Sequence, residues 1–554
     1  MKLARLLVAS AMALPFVISA CGQDTASDLE TTTTVAGRPP STSSSIPESV
    51  APTEAPTTIL APDPYSLPGW LAAENALPGT TAWKIDRKVP GSKPVSVEGS
   101  IEGYADTTSA QPGDVVTLYV ATSAPTWHVE AYRMGWYGGT QGRLVWTSAE
   151  TPSQWQLDLS TDTETKMSRA LWAPSLTFAI DNSWPTGSYL LKLVSATAEA
   201  HYVPLTVRRD NAVASLVVVS AVTTWQAYNP WGGCTLYQCF VGNPRSRATV
   251  VSFDRPYAAS YNWGSADFLT HELPLISLIE ELGIDTAYVT NIDLHSSAIE
   301  GDGSANPVLA NRTALLTTAH DEYYSTPMRA SLERARDAGI NLAFFGANAV
   351  YRHIRLEPND QGTPERQLVN YRKADADPIT AEDPLQSTVQ WRNAPLNQPE
   401  SELIGVQYFA AGVTAAMKLV NTDNWVFAGV DLSAGRTLRK LITIEADGLG
   451  PISREPENLE VLASSPVQFK ESKYNHAMTY YSADSGAGVF ATGTIGWIHA
   501  LDTSTWGDDK VSGVVRGVTT NVLQAFAAGP TGAIHPSTGN ANRYRSSVQT
   551  LGEG

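Results

Sequence analysis

Three cysteines in 554 residues are too few for a disulfide-stapled scaffold. No CxxC pair, HExxH helix or glycine-rich phosphate loop occurs, so common zinc sites and nucleotide hydrolysis have no support in the chain. Basic residues are scarce too: 38 Lys and Arg against 55 Asp and Glu leave a formal charge of −17. That balance repels phosphate backbones, excludes general nucleic-acid binding and favours neutral or cationic partners. Beyond the N-terminus no apolar run approaches the roughly 18 residues of a membrane span. A serine nucleophile on a strand-to-helix turn is also missing. The nearest such turn, Phe345-Gly346-Ala347-Asn348-Ala349, carries an asparagine, which cannot attack but whose amide can donate to a developing oxyanion.

The N-terminus places Lys2 and Arg5 before an apolar run over 6–20, the layout of a secretory signal. Ile18-Ser19-Ala20-Cys21 resembles a bacterial lipoprotein box, so 1–20 are expected to be removed and Cys21 to carry a lipid. The membrane is then touched through that lipid alone, outside the cytoplasm, and the charge becomes −17 − 2 = −19. Residues 21–66, dominated by Thr, Ser, Pro and Ala, cannot bury enough apolar surface to fold and read as a tether. Cys234 and Cys239 are close enough to close a small disulfide loop in an oxidising compartment; two buried thiols are the alternative.

Over 67–209, short β-rich runs at 115–120, 128–132 and 188–194 are divided by turns such as Gln111-Pro112-Gly113-Asp114, which predicts an all-β sandwich of immunoglobulin-like type. Its Met134-Gly135-Trp136-Tyr137-Gly138-Gly139 cluster is either a stacking surface for sugars or peptides or, by the usual preference of large aromatics, packing against the next domain. Over 210–528 the period changes. Apolar runs at 215–220, 248–253, 286–290, 314–316 and 341–345 alternate with helical patterns, one through Leu269, Leu273, Ile276 and Ile279 that Pro274 must kink or delay, another from Pro327 to Gly339. This alternation predicts an α/β domain with a mostly parallel sheet. Strands at 425–429, 441–445 and 488–493 and a helix over 514–526 complete it, and 529–554 read as a loose tail.

The densest chemistry is Ala319-His320-Asp321-Glu322-Tyr323-Tyr324, after the run at 314–316. Ligands of open α/β sheets bind at the carboxyl ends of strands, and in extended chain His320 and Glu322 share a face that Asp321 leaves. The plainer alternative is that they hydrogen-bond the strand end and cap the next helix.

With Thr224-Trp225-Gln226-Ala227-Tyr228-Asn229, Thr235-Leu236-Tyr237, Ser252-Phe253-Asp254-Arg255-Pro256-Tyr257, Phe345-Gly346-Ala347-Asn348 and Ile444-Glu445-Ala446-Asp447, this stretch resembles the C-terminal domain of the N,N-dimethylformamidase large (beta) subunit, over about 215–526. The resemblance implies a glutamine-amidotransferase-like α/β fold and one iron held by two tyrosines and a glutamate. It maps the metal ligands onto Tyr228, Tyr237 and Glu322, with Tyr257 as an alternative second tyrosine, and further active-site groups onto His320, Asn348 and Glu445. A hard cation accepts such an all-oxygen set, and a metal supplies the activated water that the chain's own side chains do not. Two readings follow: a lipid-anchored, metal-dependent hydrolase of amide bonds in a small or envelope-derived substrate, or a non-catalytic envelope protein that binds glycans or peptides. Oligomeric state has no signature in the sequence.

Overall fold

The computed structural model describes residues 63–85 and 101–545 apart from 158, 244, 301–305, 434 and 451–453. The signal segment, Cys21 and the tether as far as 62 lie outside the described residues. The last residues assigned to the tether are structured. Asp63 caps the turn Pro64–Ser66, and Tyr65 is buried with its ring 5.3 Å from that of Trp70, on the helix Trp70–Asn75. Two aromatics supply here the apolar surface that the preceding Thr/Ser/Pro run lacks.

Two sheets follow, antiparallel except where Ser109–Ala110 runs parallel to Ala200–Val207. Ile101–Ala105, Val115–Thr122 and Leu176–Ala179 make one; the other orders Ser109–Ala110, Ala200–Val207, Gly187–Ser195, Thr126–Met134 and Gly142–Thr147, with Thr151–Pro152 at its edge. Their inner faces are read directly from alternation: Val116, Leu118 and Val120 face Val129, Ala131, Leu191, Leu193 and Leu205 in one apolar core.

The larger sheet has nine strands, five of them parallel in the spatial order Thr286–Thr290, Leu216–Ser220, Ala314–Thr317, Asn341–Phe344 and Gly488–Ala491. Antiparallel strands Ser472–Ser482, Thr437–Gly448 and Gln407–Lys418 continue it, and Glu460–Phe469 pairs with Ser472–Ser482. The run at 216–220 is apolar on both faces because helices cover both. Leu216 and Val218 enter one core, Val217 and Val219 another. From this first strand the chain goes to one side, then to the other, so the winding reverses between Leu216–Ser220 and Ala314–Thr317. A crevice opens above the carboxyl ends of that pair.

Pro274 is accommodated without a break. Phe268–Glu272 forms a single wide π-turn, and the α-helix proper is Leu273–Glu281, with the proline in its first turn, where no intrahelical amide bond is lost. The π-turn points Glu272 at the two strand ends: its buried carboxylate accepts from the Ser220 hydroxyl (2.9 Å) and the Ala221 amide (3.0 Å).

Three further sequence expectations need correction. Val250–Ser252 pairs antiparallel with Gln367–Val369 in a separate small sheet, leaving the parallel sheet without it. Trp425–Phe427 is a 3-10 turn, because the Asn424 side chain caps the Val426 amide and Trp425 stacks on His535. The tail is packed as far as Arg545: Thr531–Ile534 is helical, Ala541 is buried and Arg545 pairs with Glu455 at 2.6 Å.

The 134–137 cluster packs inward rather than forming a stacking surface. Met134 and Tyr137 are buried, the Tyr137 hydroxyl donates to Glu74, and Arg133 forms a two-pronged pair with Glu280 of the Leu273–Glu281 helix at 2.7 and 3.0 Å, fully enclosed. A Cβ on Gly135 would fall 1.9 Å from that Glu280 carboxylate, so only glycine admits this junction.

Candidate active site

The first strand, Leu216–Ser220, runs straight into the short helix Val222–Tyr228, which delivers Tyr228 to the crevice. The neighbouring strand Ala314–Thr317 continues through a single parallel bridge between His320 and Ala347, keeping 319–322 extended. The next strand must approach closely for this bridge to form. A Cβ on Gly346 would meet the Ala319 carbonyl oxygen at 1.9 Å, which explains a glycine there. Extended backbone then sorts the side chains. Asp321 turns away to accept from Tyr324 (2.6 Å) and Asn291 (3.1 Å), while His320 and Glu322 enter the crevice.

Glu322 is fully buried and anchored by its own amide, which donates to the Thr224 hydroxyl at 2.9 Å. Its carboxylate gathers the site. The Tyr228 hydroxyl donates to Oε2 at 2.8 Å and the Tyr237 hydroxyl to Oε1 at 2.5 Å, the two rings stacking 4.5 Å apart. Tyr237 is presented by a tight loop closed by a disulfide between Cys234 and Cys239, and the Leu236 amide ties that loop to the Ala227 carbonyl. Tyr257, the other tyrosine weighed from the sequence, packs edge-on against Trp225 and Tyr261 instead.

Around these three oxygens lies a second layer. His320 Nε2 stands 3.5 Å from Glu322 Oε2 and 3.3 Å from Glu445 Oε2, in hydrogen-bond geometry with neither. Glu445 is aimed inward by a bulge, where Ala411 faces Glu445 and Val413 faces Ile444; Ile444 takes a left-handed φ of 70°, costly for a β-branched residue. Asn348 also holds a left-handed φ of 60°, its amide donating to both oxygens of Asp447 at 2.9 and 3.1 Å. The buried Nε2 of His320, Oε2 of Glu445 and Oδ1 of Asn348 make no aligned hydrogen bond, the first two meeting only as an ion pair at 3.3 Å. Unsatisfied buried polar atoms cost about 1–3 kcal/mol each, so a cluster at a strand end marks a place organised for something other than stability.

Electrostatics separate the two glutamates. Burial pushes both carboxyls up. At Glu322 the histidine and the Arg352 guanidinium, whose Nε donates at 3.3 Å, outweigh burial and hold it well down as the anion. At Glu445 burial prevails over the attraction of His320 and holds it up. Burial opposes protonation of His320, but Glu445 and then Glu322 outweigh it and lift the imidazole to about 9. Burial, then Glu322, keep the Tyr228 and Tyr237 hydroxyls protonated in this arrangement. The site therefore holds a buried anion, a cationic imidazole and a second carboxyl able to exchange a proton.

Among the described residues no group of three or more His, Cys, Asp or Glu could hold a metal ion, so a metal here would rest on the tyrosines. Their two hydroxyls and Glu322 suit one chemically. Three oxygen donors converge, with two phenol protons where a hard cation would replace them.

An α/β domain with charged groups gathered at its parallel strand ends is the class defined so far. A family model described as N,N-dimethylformamidase beta subunit-like, C-terminal, matches residues 128–510, and the chain belongs to that family. The match begins within the strand Thr126–Met134, earlier than the sequence resemblance reached. No curated protein matches the chain significantly.

Arg352, Arg372 and Asp447 took no role from sequence reasoning, yet all three bear on the site. Asp447 lies in the Ile444-Glu445-Ala446-Asp447 motif, two residues beyond Glu445; nothing in spacing or composition signals the two arginines.

Proposed function

We propose that this chain is a metal-dependent hydrolase of amide carbon-nitrogen bonds, dimethylformamidase-like, with a glutamine-amidotransferase-like α/β domain behind an immunoglobulin-like sandwich. The reading includes an extracytoplasmic location on a lipid at Cys21. The observation that carries it is the meeting of the Tyr228 and Tyr237 hydroxyls on Glu322, ringed by atoms of His320, Glu445 and Asn348 that make no aligned hydrogen bond.

Tyr228, Tyr237 and Glu322 would hold the iron, which supplies Lewis-acid polarisation of a carbonyl and activation of water at neutral pH. The chain's own groups account for the proton traffic. Adding water to an amide carbon frees one proton and breaking the carbon-nitrogen bond consumes one at the departing nitrogen. Glu445 in its ionised form takes the proton that water releases, the cationic His320, 3.3 Å away, gives its own proton to the departing amine, and transfer from Glu445 to His320 restores the pair. The Asn348 side-chain amide, which neighbours Glu445, would donate to the oxyanion, its backbone being locked by Asp447.

The test is metal analysis and visible absorption on lipid-free protein, followed by an amide screen. Near-stoichiometric iron, a tyrosinate charge-transfer band and amine release are expected. Colourless protein that takes up no iron on reconstitution and hydrolyses no amide would overturn the proposal and leave a binding role.

A further inference from the structure

Arg372 follows the strand Gln367–Val369 and lies over the Tyr237 ring, its guanidinium carbon 4.2 Å from the ring centre. The stacking satisfies the flat face of the guanidinium. It leaves the edges, and Nε and Nη2 are buried without a partner. Those two atoms form the side of the guanidinium whose parallel N–H bonds match the two oxygens of a carboxylate.

The position is built. The Asn370 amide donates to the Thr249 carbonyl and the Tyr371 amide to the Thr388 hydroxyl (2.8 Å), while the Arg247 guanidinium grips the carbonyls of Asn370 and Tyr371. Arg372 itself takes a left-handed φ of 68° at the end of this clamped segment. Strain of this kind persists where surroundings over-determine it, and it clusters at ligand clamps. Arg247, Arg352 and Arg372 also sit close enough to repel one another: burial first, then Arg372 and Arg352, lower the Arg247 guanidinium to about 10. Of the three, Arg247 is paired to carbonyls and Arg352 to Glu322, so the edge of Arg372 is the unanswered cation.

We infer that Arg372 is the anchor for a carboxylate on the substrate, so that the amide cleaved here belongs to an anionic molecule such as an N-acylated amino acid rather than to a small neutral amide. The inference rests on the amide-hydrolase reading of the neighbouring site, because the Tyr237 ring that carries Arg372 on its face also sends its hydroxyl to Glu322. An incoming carboxylate would complete the fork and relieve the crowding of three guanidinium groups. It would also hold the scissile amide on the Tyr237 side of Glu322.

The test pairs N-formyl and N-acetyl amino acids with their methyl esters, using metal-loaded wild-type protein and the variants Arg372→Met and Arg372→Lys. Wild type should favour the acids by roughly 100-fold in kcat/KM, carried mainly by KM, as expected for a desolvated charge pair. Arg372→Met should collapse the acid-to-ester ratio towards one, and Arg372→Lys should restore part of it. Equal or better turnover of the esters by wild type, or a ratio unchanged in Arg372→Met, overturns the inference while leaving the hydrolase reading intact. Thermal shift with N-acetylglycine and with N-acetylglycine methyl ester reads the anchor independently of turnover. Stabilisation of wild type by the acid alone, lost in Arg372→Met, supports it even if no amide is cleaved, and no shift with either compound counts against it.

Discussion

Glu322 is the residue on which the site converges, and its substitution separates function from folding. Its carboxylate accepts hydrogen bonds from the Tyr228 and Tyr237 hydroxyls and faces Arg352, and its backbone amide separately donates to Thr224 on the helix that carries Tyr228. Glu322→Gln keeps the shape and the backbone contact but removes the charge. Loss of metal by mass spectrometry with a melting temperature within a few degrees of wild type is expected; a protein that keeps its metal would exclude this glutamate as a ligand. Arg372 makes the opposite prediction. Arg372 is half-buried with Nε and Nη2 enclosed and unpartnered, so ligand-free Arg372→Met, which removes those two atoms and keeps much of the packing, should melt no lower than wild type, whereas ordinary loss of an arginine's packing would lower it. This local cation also refines what net charge implied. A formal charge of −17 argues against phosphate backbones along the whole surface, but it does not describe one unpaired guanidinium edge beside the Tyr237 ring.

Elements position these groups, and two can be tested directly. The closely spaced strand ends depend on Gly346; Gly346→Ala drives a methyl into the Ala319 carbonyl, with an expected cost of about 3 kcal/mol or more in denaturant melts. The Cys234–Cys239 loop fixes Tyr237. Replacing both cysteines by serine should cost about 2 kcal/mol on chain-entropy grounds and weaken metal retention, whereas full retention would show that the loop holds Tyr237 unaided. Much of this scaffold was legible. The uniformly apolar 216–220 run, the Ser325-Thr326-Pro327 helix start and the alternation of His320, Asp321 and Glu322 follow from local periodicity, which the sequence displays in full. What escaped depends on tertiary partners. The run at 250–252 looks like a parallel-sheet strand, yet pairs with 367–369, and that choice is made by residues more than a hundred positions away. The strained turns at Ile444, Asn348 and Arg372 escaped for the same reason: none is glycine, so nothing local announces a left-handed backbone.

At the scale of the whole molecule, burial of ionisable groups makes stability depend on pH. Glu272, enclosed between the strand ends, has its carboxyl pushed up to about 8, chiefly by burial. A raised carboxyl stabilises most below its unfolded value and loses that contribution as pH rises through the folded one. Glu272→Gln has no proton to lose, so relative to wild type it should gain on the order of 3 kcal/mol between pH 5 and pH 8; a pH-independent difference between the two proteins would show that Glu272 is ionised in the fold.

The front sheets and the α/β sheet meet through Arg133 and Glu280, sealed from water with Tyr137 and Tyr288 around them. Breaking such a pair by removing one partner typically costs about 3–5 kcal/mol. A gene fragment that carried the α/β portion to a new setting would carry Glu280 without its cation, so recombination cannot trade the two portions as independent modules. The two portions are thus coupled as one energetic unit, and the α/β portion alone would hold an uncompensated carboxylate where the front sheets now seat their cation.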